Sequence, residues 1–243
     1  MALPKIDVPT HKTKIPSTNQ VISIRPFLVK EQKILLTALT GEDSEEITDA
    51  TKQIVNNCVL TPNFDVDKLE LFDLEYLILQ LRIISVGEAT TIRFYPRKNT
   101  ECEECLKNRD VEINLKNAKV NLENIPDKKV QLTEKIGVLL KFPTAKHISK
   151  IDSAKKSDSL NSLFEIVWMC IDAVYDDDNI ISANDVTLAE GIEFLESLNT
   201  EQFLKIEKFI KNIPKLEQKI EIKCSSCDFK EEYTISGIEN FFG

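Results

Sequence analysis

Only two histidines and six glycines occur in 243 residues. Imidazole is the usual proton carrier near neutral pH, and glycine-rich loops bring backbone amides onto phosphate. His11 and His147 stand apart from any nucleophile or second ligand, and the patterns GxGxxG, GxxxxGK[ST], GxSxG and HExxH are all missing. These shortages point away from an enzyme and from a small-molecule substrate. Positive charge is also scarce, since 31 Lys+Arg against 40 Asp+Glu leave a net charge of −9. Such a balance repels nucleic acid and anionic membranes at long range and favours protein partners. No apolar run approaches the ~20 residues of a membrane span, and the opening MALPKIDVPTHKTKIPS lacks the apolar segment of a signal peptide. The expectation is a cytosolic protein with no membrane contact.

A calcium loop is excluded by spacing. Counted from Asp176 in Asp176-Asp177-Asp178-Asn179, the sixth and twelfth residues are Ile181 and Thr187. A calcium loop needs glycine and a bidentate glutamate there. The segment reads as a solvated turn between helices.

What the chain does have is two CxxC pairs, Cys102/Cys105 and Cys224/Cys227, separated by the 118 residues from Leu106 to Lys223. Two residues between ligands is the spacing of a zinc knuckle, and two knuckles make one tetrahedral four-cysteine site. Such a first shell is closed, so zinc held there would be structural. Closing a flexible loop of this length costs about 4 kcal/mol in the length-dependent term, against roughly 10–16 kcal/mol available from structural zinc.

A redox dithiol is an alternative, but Glu101, Glu103 and Glu104 crowd the first pair with carboxylates that raise thiol pKa values. Lys107, Arg109 and Lys223 soften that repulsion. Four unligated thiols in an ordinary pair of hairpins are the third possibility, because Leu106 and Asp228 stand where many knuckles carry glycine. Cys58 falls on an apolar helical stripe and reads as core. A nucleic-acid ribbon is disfavoured, since Arg93, Arg97, Lys98, Lys107 and Arg109 are matched by Glu101, Glu103, Glu104 and Asp110 around the first knuckle, and Glu221, Asp228, Glu231 and Glu232 flank the second.

Periodicity gives an α+β fold class. A hairpin is expected over residues 4–27, turning at Pro16-Ser17-Thr18-Asn19, with Val21 to Arg25 as its second strand. Helices follow from Pro26 to a cap at Gly41, from the acidic run Glu42–Glu46 through Ile47, Ala50, Ile54 and Cys58, and from Lys68 to Val86. The last carries Leu74, Leu77, Leu81 and Ile84 on one face, with Ile78 beside them. Being the most apolar helix, it should be central. Thr90–Tyr95 and Val111–Leu115 flank the first knuckle as strands; Lys219–Lys223 and Glu232–Ile235 flank the second.

Between the knuckles lie two strands, Lys129–Leu132 and Gly137–Phe142, then three helical stripes. Leu160 to Ile171 is the first, Leu188, Ile192 and Leu195 the second, Phe203 to Ile213 the third, with Asn184 and Thr200 as N-caps and Pro214 as the stop. The expected organisation is an N-terminal hairpin and helical region (1–88), a zinc-ribbon-like β domain (89–142 plus 215–243) and a helical insert (143–214). Ser149–Ser159 reads as a linker, and Phe241 and Phe242 as aromatics docked on their own domain.

Five segments carry a family resemblance: MALPKIDVPT, IRPFLVKEQKILL (Ile24–Leu36), FDLEYLILQLRIISVGE (Phe72–Glu88), IGVLLKFPT (Ile136–Thr144), and the closing CSSC with ISGIENFF. In this order they resemble the baseplate hub subunit and hub assembly proteins of T-even-like contractile-tailed phages, over nearly the whole chain. The resemblance implies a non-enzymatic late protein that forms or helps to build the central hub of the tail baseplate. Its partners would be other hub and tail assembly proteins, met in the host cytoplasm or in the virion tail. It also implies Cys102, Cys105, Cys224 and Cys227 as ligands of a structural zinc.

Overall fold

The computed structural model describes residues 6–41, 44–94, 101–151 and 160–237. Tyr95, most of the Ser149–Ser159 stretch, and Phe241 and Phe242 lie outside these residues. The chain is α+β, with small antiparallel sheets and helices around three apolar clusters.

The first cluster is N-terminal. β1 (His11–Lys14) and β2 (Val21–Ile24) form an antiparallel hairpin whose turn places Asn19 at φ 57°, a conformation asparagine tolerates. Ile22 and Ile24 alternate inward, as a half-buried strand requires. α1 (Val29–Gly41) and α2 (Ser44–Cys58) follow, and the Arg25 amide donates to the Cys58 carbonyl at 2.9 Å, tying the hairpin to the end of α2. Cys58 is fully buried, and burial pushes its thiol up to about 11. It is a core residue, as its stripe implies.

The start of α1 is held by a buried ion pair. Arg25 Nη2 lies 2.9 Å from Glu31 Oε1 and also donates to the Asn57 carbonyl, while the Leu28 amide donates to Glu31 Oε2 at 2.8 Å. Glu31 is wholly buried.

α3 (Leu71–Val86) is the element that joins the rest. It begins three residues later than expected, because Val66–Lys68 form a separate 3-10 turn capped by Asp65. Leu74, Leu77 and Leu81 pack into the first cluster, Phe72 into the second and Leu79 into the third. A helix apolar on all sides must be buried on all sides. Gly87 ends it at φ 124°, a backbone that other residues rarely adopt.

The second cluster lies between a four-stranded antiparallel sheet and three helices. β6 (Lys129–Gln131), β7 (Gly137–Leu140), β8 (Ile171–Tyr175) and β9 (Ile180–Ser182) stand in that order. α4 (Leu160–Met169), α5 (Leu188–Glu196) and α6 (Thr200–Lys211) cover it. β7 is hydrogen-bonded to β8, so this sheet runs across the 142/143 boundary.

Residues 171–182 are therefore a hairpin rather than helix, and Asp176–Asn179 is its turn, with the Asn179 amide donating to Asp176 Oδ1 at 2.7 Å. Ile171 falls four residues after Val167, which places it on the helical stripe although it also begins the strand. The N-caps are Thr187 and Asn199, each in a capping box with Glu190 and Gln202, rather than Asn184 and Thr200. Asn184 sits in a 3-10 turn capped by Ser182. Gly191 lets α5 close on Trp168, where a β-carbon would come within 2.3 Å of the indole ring.

The third cluster supports the cysteines. β3 (Ala89–Phe94) pairs with β4 (Arg109–Asn114), while β10 (Leu216–Lys223) pairs with both β11 (Lys230–Ser236) and the short β5 (Lys119–Val120). The two hairpins share no ladder. They meet through side chains, with Ile113, Leu115, Ile220, Ile222 and Ile235 buried together against Leu79 of α3.

A four-cysteine candidate metal centre

Each knuckle is a tight turn at the loop end of a hairpin, beyond the Phe94–Arg109 rung in one and the Lys223–Lys230 rung in the other. In the first, a 3-10 turn over Glu103–Leu106 brings the Cys105 amide to the Cys102 carbonyl at 3.0 Å. In the second, the Cys224 amide donates to the Phe229 carbonyl at 2.9 Å, and the Ser226 amide points at Cys224 Sγ at 3.4 Å. The second knuckle thus obtains an amide-to-sulfur contact without the glycine often used for it. Beneath them, Phe94 and Tyr233 stack edge to face with centroids 5.2 Å apart, so the packing of one hairpin on the other fixes the distance between the knuckles.

The result gathers residues from both ends of the sequence. All four sulfurs lie within 4.8 Å of one another. Cys102 Sγ is 3.8 Å from Cys224 Sγ, and Cys105 Sγ is 3.6 Å from Cys227 Sγ. A tetrahedron with metal–sulfur bonds of about 2.3 Å has edges of about 3.8 Å. None of the four cysteines is in a disulfide, and these separations are far beyond an S–S bond of about 2.05 Å. The donor set and its edges fit a metal ion, and the four cysteines could hold one.

The protonation of the cluster is uneven. Cys224 is drawn down to about 6, first by the Ser226 amide and then by hydrogen bonds from Cys105 and Arg109. Cys105 is pushed up to about 12 by burial and by the sulfurs around it. Negative charge is accepted at one sulfur and resisted at the next, so a cation that replaces the protons removes the conflict.

Arg109 is the residue that spacing alone did not single out. At the first position of β4, its guanidinium donates to sulfur in both knuckles, 3.4 Å to Cys105 and 3.3 Å to Cys224. A cation four residues beyond a knuckle cysteine, at the start of a strand, is the signal that could have marked it. His11 lies on β1; His147 lies in a 3-10 turn, where its Nδ1 accepts from the Thr144 amide. Neither belongs to the sulfur cluster. The cavity beneath Cys105, lined by Phe94, Arg109, Phe229 and Tyr233, measures about 20 Å³, room for one water and for no organic substrate.

A family model described as T4 bacteriophage base plate protein matches residues 8–243. The chain belongs to that family. It is accordingly a phage baseplate protein, with a structural role in the tail and other tail proteins as its partners. No match was found among curated proteins or among solved structures. No helix among the described residues is long and apolar enough to cross a membrane.

Proposed function

We propose that this baseplate protein is a non-enzymatic component or assembly factor of the central hub. It would act through contacts with other hub and tail proteins while tails are built in the host cytoplasm, and a zinc ion held by Cys102, Cys105, Cys224 and Cys227 would staple its two hairpins. The observation that carries the reading is the family match across residues 8–243, joined to a first shell of four sulfurs that leaves no place for a substrate. Zinc suits four thiolates at tetrahedral spacing and supplies cross-linking without redox chemistry.

The surface of the ribbon supports protein contacts over nucleic acid. Arg93 pairs with Asp110, Lys107 with Glu104, Lys219 with Glu232, and Lys223 and Lys230 with Glu221. Cations already matched to carboxylates offer little to a phosphate backbone. The low thiol pKa of Cys224 is the one feature favouring a dithiol oxidoreductase, and that reading requires dithiol turnover that Cys102→Ser abolishes.

Mass spectrometry of purified virions and of infected-cell lysate tests the proposal. Fixed copy number in the virion identifies a hub subunit. Recovery only with hub complexes from the lysate identifies an assembly factor. Absence from both overturns the hub reading while leaving family membership intact.

A further inference from the structure

The contacts of Arg109 form a pattern in the chain. Nη2 donates to the Glu104 carbonyl at 3.0 Å and to Cys105 Sγ at 3.4 Å; Nη1 donates to the Lys223 carbonyl at 3.0 Å, and Nη2 also reaches Cys224 Sγ at 3.3 Å. Glu104 and Lys223 immediately precede the two cysteines that are touched. One guanidinium therefore grips the same two groups, a carbonyl and the next sulfur, in each knuckle. Arg109 itself is placed by the β3–β4 ladder, opposite Phe94, whose ring packs on Tyr233 of the other hairpin.

Other described cations of the ribbon have carboxylate partners. Lys107 pairs with Glu104 and Lys223 with Glu221. Arg93 makes an exposed pair with Asp110. Four thiolates around a divalent cation carry a net charge of about −2, and Arg109 is a cation aimed at that charge. A lysine ammonium could not repeat the grip, because its one nitrogen would have to reach all four acceptors with three N–H groups, whereas the guanidinium serves the Lys223 carbonyl from Nη1 and shares the two N–H groups of Nη2 among the other three.

We propose that Arg109 is the positioning residue of the four-cysteine centre. It clamps the knuckles at metal-binding separation, and by donating to Cys105 and Cys224 it lowers the charge and nucleophilicity of their sulfurs. This rests on the reading of the four cysteines as metal ligands. Hydrogen bonds to ligand atoms commonly account for 10–100-fold in metal affinity.

The test uses the full chain as wild type, Arg109→Gln, Arg109→Lys and the control Arg93→Gln. Each is loaded with zinc or cobalt(II), and affinity is measured by competition with a chromophoric chelator. Arg109→Gln should bind about 10–100-fold more weakly, Arg109→Lys should weaken binding less, and Arg93→Gln should match wild type. With cobalt(II), loss of the N–H donors should move the thiolate-to-metal charge-transfer band to lower energy, a shift that a merely looser fold does not produce. Alkylation of the zinc-loaded cysteines should be faster in both Arg109 variants. Unchanged affinity and an unmoved band in Arg109→Lys overturn the inference, even if Arg109→Gln does not fold. Failure of the wild-type chain to take up either metal overturns the ligand reading itself, and the inference with it.

Discussion

Two faces of α3 show two ways of holding a small domain together. The body around Leu74, Leu77 and Leu81 buries whole leucine and isoleucine side chains from a hairpin and two helices, and its buried Arg25 and Glu31 are paired with each other. The ribbon around Leu79 has a narrower apolar layer, one strand face deep. Its outer faces carry exposed ion pairs of the kind worth about 0–1 kcal/mol each. Packing and a buried ion pair hold the body. The outer ribbon depends on what gathers its four sulfurs.

The largest expected effect breaks this comparison at the sulfurs. With the metal in place, one cooperative transition is expected; removal by a strong chelator, or Cys224→Ser, should split it in two. Hydrogen exchange should then show amides of β3, β4 and the knuckle ends of β10 and β11 losing protection, while those of α2 and α3 keep theirs. Structural zinc supplies roughly 10–16 kcal/mol in isolated fingers. A single unchanged melting curve after both treatments would show that the sulfurs do not hold the ribbon.

On the other side of the comparison, Glu31→Ala should destabilise the body by about 3–5 kcal/mol, because it leaves Arg25 buried without its carboxylate. Chemical denaturation should show the loss in the body's transition, with the metal affinity of the ribbon unchanged. A loss below about 1 kcal/mol would mean that water reaches Arg25 and that the pair is not sealed.

The helix that joins the two regions offers a sharper cut. Leu77→Ala and Leu79→Ala should each cost about 2–5 kcal/mol, as fully buried leucines do. Leu77 faces the body and Leu79 faces the ribbon. Leu79→Ala should therefore weaken metal retention in a chelator challenge, and Leu77→Ala should not. Equal effects would mean that α3 transmits strain as a rigid unit and that the two clusters are not separable.

How far the sequence foretells all this differs by element. The knuckle spacing identified all four sulfurs, because a CxxC pair is a local pattern and needs only that two hairpins meet. The leucine stripe marked α3 as central, but Leu79 escaped it, since a helix buried on every side has no single periodic face to read. The β8–β9 hairpin was hidden by Ile171, which satisfies helical spacing from Val167 as well as strand alternation with Ala173. The caps at Thr187 and Asn199 were displaced by one to three residues, because several polar residues precede each helix and only the Glu190 and Gln202 partners select among them. Arg109 was visible only as a charge. Its four contacts depend on where β4 begins relative to Lys223, which is a tertiary fact.

The smallest effect concerns pH and the seam at the start of α3. Glu70 precedes the helix, beside the Leu71 amide bond to the Pro143 carbonyl, and its Oε2 is buried without a hydrogen-bond partner. Burial raises its pKa to about 7, with Lys128 pulling it down and Asp73 pushing it up. Asp73 is itself raised by burial, against hydrogen bonds from Ser17. In the unfolded chain a glutamate titrates near 4.3. Between those values the folded state holds a proton that the unfolded state has released, so stability falls as pH rises through that window. It is level below it, where both states are protonated, and level above it, where both are charged. The gap corresponds to about 4 kcal/mol at 1.36 kcal/mol per pH unit, and partial solvent screening brings it to about 1–2 kcal/mol. Glu70→Gln should remove the slope, so that its urea midpoint matches or slightly trails wild type at pH 4.5 and exceeds it at pH 7.5. Carboxylates held low, such as Glu31, tilt both proteins alike and cancel in the difference. Parallel curves over the whole range would mean that Glu70 finds water in solution, and the seam between the body and the four-stranded sheet would then be wet rather than sealed.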